Sequence, residues 1–92
     1  MPANSEVVHE RTVRLPEGVD LHARPAGALI RAAAQFPSAI TLAAGGKTAD
    51  AKSILQVLGL GATGGTEITV TTTGDGASDA LDAIVELLER LA

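Results

Sequence analysis

Cysteine is absent from this 92-residue chain, which excludes disulfides, thiolate zinc sites and a Cys nucleophile. Trp and Tyr are absent as well, and Phe36 is the sole aromatic, so there is no surface on which nucleic-acid bases could stack. Positive charge is scarce. Seven Lys and Arg stand against eleven Asp and Glu, a formal net charge of −4. That balance argues against a nucleic-acid partner, whose binding needs clustered cations. No apolar run approaches the roughly 20 residues of a membrane span, and no basic stretch leads into an apolar one near the start. A cytoplasmic protein without direct membrane insertion is expected. No His/Cys/Asp/Glu cluster has metal-ligand spacing, so neither a metal nor a cofactor is expected. Large apolar side chains are scarcer than the 46% apolar content implies, because much of it is alanine. At this length a single domain over residues 1–92 with one modest core is expected, with residues 1–5 a loose N-terminal extension.

What is present is patterned. Residues 6–15 alternate, with Val7, His9, Arg11, Val13 and Leu15 on one face, which predicts a strand best buried in its second half. Pro16-Glu17-Gly18 ends it. Residues 23–35 carry Ala26, Leu29, Ile30, Ala33 and Phe36 at helical spacing on an alanine-rich segment. Pro25 fits the first turn and Pro37 stops the helix. Residues 39–43 and 47–51 flank Ala44-Gly45-Gly46, a hairpin signal. Ile40 and Leu42 would share its buried face with Ala49 and Ala51. Ser53 is a good N-cap for a short helix over 54–58 closed by Gly59. The glycine-rich stretch 59–65 reads as a loop, and 66–72 as a strand with Ile68 and Val70 inward. After Gly74-Asp75-Gly76, residues 77–91 form the longest helix, its stripe being Ala80, Leu81, Ile84, Leu87, Leu88 and Leu91. The order β-α-β-β-α-β-α gives an α+β class. One sheet with all helices on one face buries every apolar face.

Chemistry concentrates at Leu21-His22-Ala23-Arg24-Pro25-Ala26. A helix N-terminus offers unpaired N–H groups and a positive dipole end, a ready anion site. His22 falls at or beside the N-cap, so a phosphoryl group on its ring would accept hydrogen bonds from the N–H groups of Ala23 and Arg24. The Arg24 guanidinium would add charge-assisted bonds. Neutral imidazole is a competent nucleophile, and phosphoryl transfer asks mainly for positioning and charge stabilisation. A small hydrolase with His22 as general base lacks both a second catalytic partner and room for a substrate pocket. His9 has no comparable context and reads as a strand-face histidine. Gly46-Lys47-Thr48 looks like the end of a P-loop, but position 41 is Thr where that pattern needs glycine. Asp75, Asp79, Asp82, Glu86 and Glu89 read as a solvated face.

Residues 21–26 resemble the active-site motif of the HPr family, histidine-containing phosphocarriers of the bacterial sugar phosphotransferase system. Residues 50–58, Asp-Ala-Lys-Ser-Ile-Leu-Gln-Val-Leu, resemble that family's regulatory-serine segment. The similarity runs over about residues 6–91. It implies an open-faced β-sandwich, a four-stranded antiparallel sheet covered by three helices. It implies a phosphocarrier co-substrate, not an enzyme, that accepts phosphate from phosphorylated Enzyme I and donates it to Enzyme IIA domains of sugar permeases. His22 would carry the phosphate on Nδ1, Arg24 would support it, and an ATP-dependent kinase would act on Ser53 where the host has one. Ala23, Arg24, Ile54, Leu55 and Leu58 would form the docking surface. On so short a helix, whether Ile54 or Leu55 faces inward stays open. A monomer is expected. The alternative is a regulatory or nitrogen-system paralogue whose phosphorylation state controls partner binding. A dihydroxyacetone-kinase carrier would have the same sequence features. The chain departs from the family at Pro16-Glu17-Gly18-Val19-Asp20, a longer approach to the histidine. Asp20 is a candidate for the residue that orients His22, set against the repulsion a carboxylate there would exert on phosphate.

Overall fold

The computed structural model describes residues 7–91; the expected loose extension at 1–5 and the strand start at residue 6 lie outside them. The elements are β1 (His9–Arg14), α1 (Ala23–Ala33), β2 (Ala39–Ala44), β3 (Lys47–Asp50), α2 (Ile54–Gly59), β4 (Glu67–Thr73) and α3 (Ala77–Glu89). The strands form one antiparallel sheet in the order β1-β4-β2-β3. The α+β class expected from the element order, and the open-faced sandwich that the family resemblance implies, are the fold observed.

The strand registers explain the core. Leu42 stands opposite Val70 on one side and Ala49 on the other, and Val13 stands opposite Ile68. All five are buried, together with Leu15, Ile40 and Ala51. Alternation along β4 puts Ile68, Val70 and Thr72 inward. Val7 and Val8 fit the alternation but are exposed and precede β1. By the β1–β4 register, Val8 would face Thr73, the last residue of β4, and Val7 would face Gly74, where φ 93° turns the chain away. Arg11 belongs to the inner face by position, yet it lies at the edge of the sheet. Its guanidinium reaches Asp82 of α3 at 3.5 Å, an exposed pair of small energetic value.

α1 is shorter than its apolar spacing suggests. Gln35 and Phe36 donate to the carbonyls of Ala32 and Ala33 in tighter turns, which close the helix ahead of Pro37. α3 has no side-chain cap, its N-cap being Gly76 at φ 76°. Two hydroxyls secure its start instead. Ser38 Oγ donates to the Asp75 carbonyl at 2.5 Å, and buried Thr72 Oγ donates to the Ala77 carbonyl at 2.7 Å. α3 then buries Ala77, Ala80, Leu81, Ile84, Val85 and Leu88 against the sheet, while Leu87 and Leu91 are half-buried. The hairpin turn falls at Gly45 and Gly46, at φ 57° and 81°. Two consecutive residues with positive φ match the right-handed twist of the flanking strands, so Gly46-Lys47-Thr48 is a turn and the start of a strand.

α2 packs against α1 and β3. Its N-cap is Ser53, whose Oγ accepts the Gln56 N–H at 3.3 Å. The Gln56 side chain in turn accepts the Asp50 N–H at 2.8 Å, and the Asp50 carboxylate accepts the Lys52 N–H at 2.9 Å. The β3–α2 turn is thus tied by side chains at each step. Replacing Ser53 with Ala removes the cap and is expected to cost about 1 kcal/mol. Urea unfolding of the two proteins would read it.

Candidate functional site

Local chemistry places His22 at the end of α1. Pro25 cannot donate a backbone hydrogen bond and suits the first turn, and His22 is the N-cap, at φ −103° and ψ −158°. Its carbonyl accepts the Ala26 N–H at 2.9 Å, the first bond of the helix. Its side chain makes no capping bond and is exposed, so the imidazole is left for other work. The amides of Ala23 and Arg24 have no hydrogen-bond partner among the described residues. The Arg24 guanidinium is exposed and in no ion pair among the described residues.

His22, Ala23, Arg24, Pro25 and Ala28 line an open groove of about 770 Å³ with Gly18, Val19, Asp20 and Leu91. Its width and openness suit an anion presented on a protein surface better than an enclosed small molecule. The sequence motif and the groove therefore coincide. The groove also brings in Leu91 from the far end of the chain, which motif spacing alone does not show.

The second motif lands on α2. Leu55 is 80% exposed, Ile54 40% and Leu58 36%, while Val57 is fully buried. Neither Ile54 nor Leu55 faces inward, because Val57 takes the core position of the helix. α2 packs beside α1, so this apolar patch and the His22 end belong to neighbouring helices.

Arg31 was missed by sequence reasoning. It lies seven residues after Arg24 on α1, so both occupy the same helix face. A Cβ added at Gly27 would meet the Arg31 guanidinium at 3.5 Å, which shows that side chain folded back along the helix toward its N-terminus. The spacing alone was the available signal. The sequence departure before the histidine also acquires a geometry. Asp20 Oδ1 accepts the Gly64 N–H at 3.2 Å. No group of three or more His, Cys, Asp or Glu among the described residues could hold a metal. No helix among them is long and apolar enough to cross a membrane.

Comparison with known proteins agrees with this geometry. The family description "PTS HPr component phosphorylation site" matches residues 9–90. The phosphocarrier protein HPr of Vibrio cholerae serotype O1 is 33% identical over 84 residues, which are 91% of this chain and 99% of that protein. The crystal structure of HPr from Bacillus anthracis superposes with a TM-score of 0.84 at 34% identity, covering 94% of this chain and all of that one. Crh, the Bacillus subtilis catabolite-repression protein, crystallised as a domain-swapped dimer. It gives a TM-score of 0.70 at 34% identity, covering 83% of this chain and 85% of its own. The chain belongs to the HPr family, the phosphocarrier proteins of the phosphotransferase system.

Proposed function

We propose that this chain accepts a phosphoryl group on His22 Nδ1 from phosphorylated Enzyme I and passes it to Enzyme IIA domains of sugar permeases. The observation that carries the reading is the combination at the start of α1. An N-cap imidazole that makes no capping bond sits beside two amides and a guanidinium that have no partner among the described residues. Attack from Nδ1 requires its lone pair, so the ring proton resides on Nε2. The new N–P bond forms as the bond from phosphorus to the donor breaks, and the donor keeps that electron pair. Donation to the next protein is the same step in reverse roles. The amides of Ala23 and Arg24 and the Arg24 guanidinium stabilise the phosphoryl oxygens throughout. Because the groove is open, the approaching partner rather than the carrier must exclude water.

Docking is assigned to Ala23, Arg24, Ile54, Leu55 and Leu58, with Arg31 extending the cationic side of the same surface. A monomer suffices for this reading, since one chain supplies the whole groove. Leu55 is the most exposed of the apolar set, so Leu55→Asp is expected to raise the Kd for Enzyme I by about tenfold or more, at unchanged stability. Titration calorimetry would show it; an unaltered Kd would remove α2 from the interface. Ser53 is proposed as a second, regulatory phosphorylation site. A phosphate there would place negative charge beside the same patch and weaken docking.

The test is incubation with Enzyme I and phosphoenolpyruvate, followed by mass measurement before and after acid treatment. One acid-labile phosphoryl group on the wild-type chain is the expected result, and its absence overturns the reading. The likeness to Crh, named for catabolite repression, favours a second reading, a regulatory carrier. That reading gains if the protein is phosphorylated by Enzyme I yet fails to support sugar phosphorylation in a reconstituted relay.

A further inference from the structure

We propose that Asp20 is a positioning residue for phosphoryl acceptance at His22, acting by pinning the approach to the histidine onto the 62–65 loop; the inference rests on the phosphocarrier reading above. Asp20 holds the chain at two points. Its backbone carbonyl accepts the His22 N–H at 2.9 Å, and its carboxylate Oδ1 accepts the Gly64 N–H at 3.2 Å. Between them, Leu21 is buried and donates its N–H to the Ala62 carbonyl at 2.9 Å. The two segments lie in direct backbone contact. A Cβ on Gly64 would sit 2.6 Å from the Gly18 nitrogen and 3.0 Å from the Pro16 carbonyl oxygen, a distance at which something must shift.

The consequence for His22 is directional. The imidazole caps nothing and makes no hydrogen bond of its own among the described residues. Its direction off the end of α1 follows from the backbone of residues 20–22, and that backbone is set by the three bonds above. In-line phosphoryl transfer is sensitive to such aim. The same contact has an electrostatic effect. Asp20 lines the groove with His22 and Arg24, where a free carboxylate would repel the incoming phosphoryl group. With Oδ1 engaged by the Gly64 amide, part of that charge is directed to the loop. The bond needs an acceptor oxygen and not a charge, so Asn meets the same requirement.

The experiment compares wild type, Asp20→Ala, Asp20→Asn and Gly64→Ala as full-length proteins. It measures phosphorylation rates with Enzyme I and phosphoenolpyruvate, and thermal unfolding in parallel. Asp20→Ala is expected to lower the maximal rate on the order of tenfold with KM for the carrier unchanged. Asp20→Asn is expected to restore most of it, and Gly64→Ala to behave like Asp20→Ala. Three results would overturn the proposal: a wild-type rate in Asp20→Ala, an Asp20→Asn variant as slow as Asp20→Ala, or a loss confined to KM. If Gly64→Ala does not fold, the two variants at exposed Asp20 decide the matter. Failure of the wild type itself to take phosphate overturns the phosphocarrier reading, and this inference with it.

Discussion

A His22→Ala variant, incubated with Enzyme I and phosphoenolpyruvate, is expected to acquire no acid-labile phosphate, the largest functional effect any single substitution should produce here. The N–P bond needs a nucleophilic imidazole nitrogen, and at the start of α1 that ring is His22. His9, the remaining histidine, lies in β1, six residues of edge strand away in sequence from Leu15, outside the groove. The variant should fold normally, because the His22 side chain is exposed and makes no capping bond. Label retained in His22→Ala would sink the assignment. Arg24→Ala provides the graded counterpart. Hydrogen bonds to a charged partner contribute about 1.5–3 kcal/mol, so losing the guanidinium should slow transfer by about ten- to a hundredfold. The Ala23 amide and the backbone amide at position 24 would remain and should leave residual activity. An Arg24→Ala variant at the wild-type rate would leave the helix end alone as the phosphoryl support.

The second large effect concerns stability. Leu42→Ala is expected to destabilise the fold by about 2–5 kcal/mol, out of a total of about 5–15 kcal/mol for a domain of this kind. Leu42 is fully buried in β2, between Val70 and Ala49. Many of its fellow core residues are alanines, including Ala26, Ala33, Ala44, Ala49, Ala51 and Ala80. A short side chain has no rotamer with which to refill a neighbour's vacated space, so the cavity would persist. Thermal unfolding should show Tm lowered by more than about 10 °C. A loss below about 1 kcal/mol would mean that the surrounding helices collapse onto the gap.

Much of the fold was legible because each element has a distinct period. Ile68 and Val70 alternate, Ala80, Leu81, Ile84 and Leu88 recur at helical spacing, and Gly45-Gly46 marks the turn between β2 and β3. All fall where the pattern put them. The misreadings have physical causes. Val7 and Val8 have strand character, but the register sets them against Gly74 and Thr73, where β4 ends. Val85 was outside the predicted stripe of α3 yet is buried, because α3 crosses β1, β4 and β2 and is covered over a wider arc than one stripe. Thr72 is polar and fully buried; only the position of the Ala77 carbonyl makes that acceptable. Val57, not Ile54 or Leu55, points inward, a choice six residues of helix cannot settle by periodicity.

The candidate site divides in the same way. Residues 21–26 by themselves determined the chemistry on offer: a histidine at a helix start, two amides, an arginine, and a proline that suits the first turn. Those are neighbours in the chain, so local backbone geometry is enough to bring them together. Residues 50–58 likewise determined a capped helix with an apolar run. Only the tertiary structure decided what lies around them. It put α2 beside α1, brought Leu91 to the His22 groove, and set Gly64 against Asp20. Those pairs are far apart in sequence, and they meet because the sheet and helices must close over one core. No local period carries that information, since it resides in which buried faces fit together.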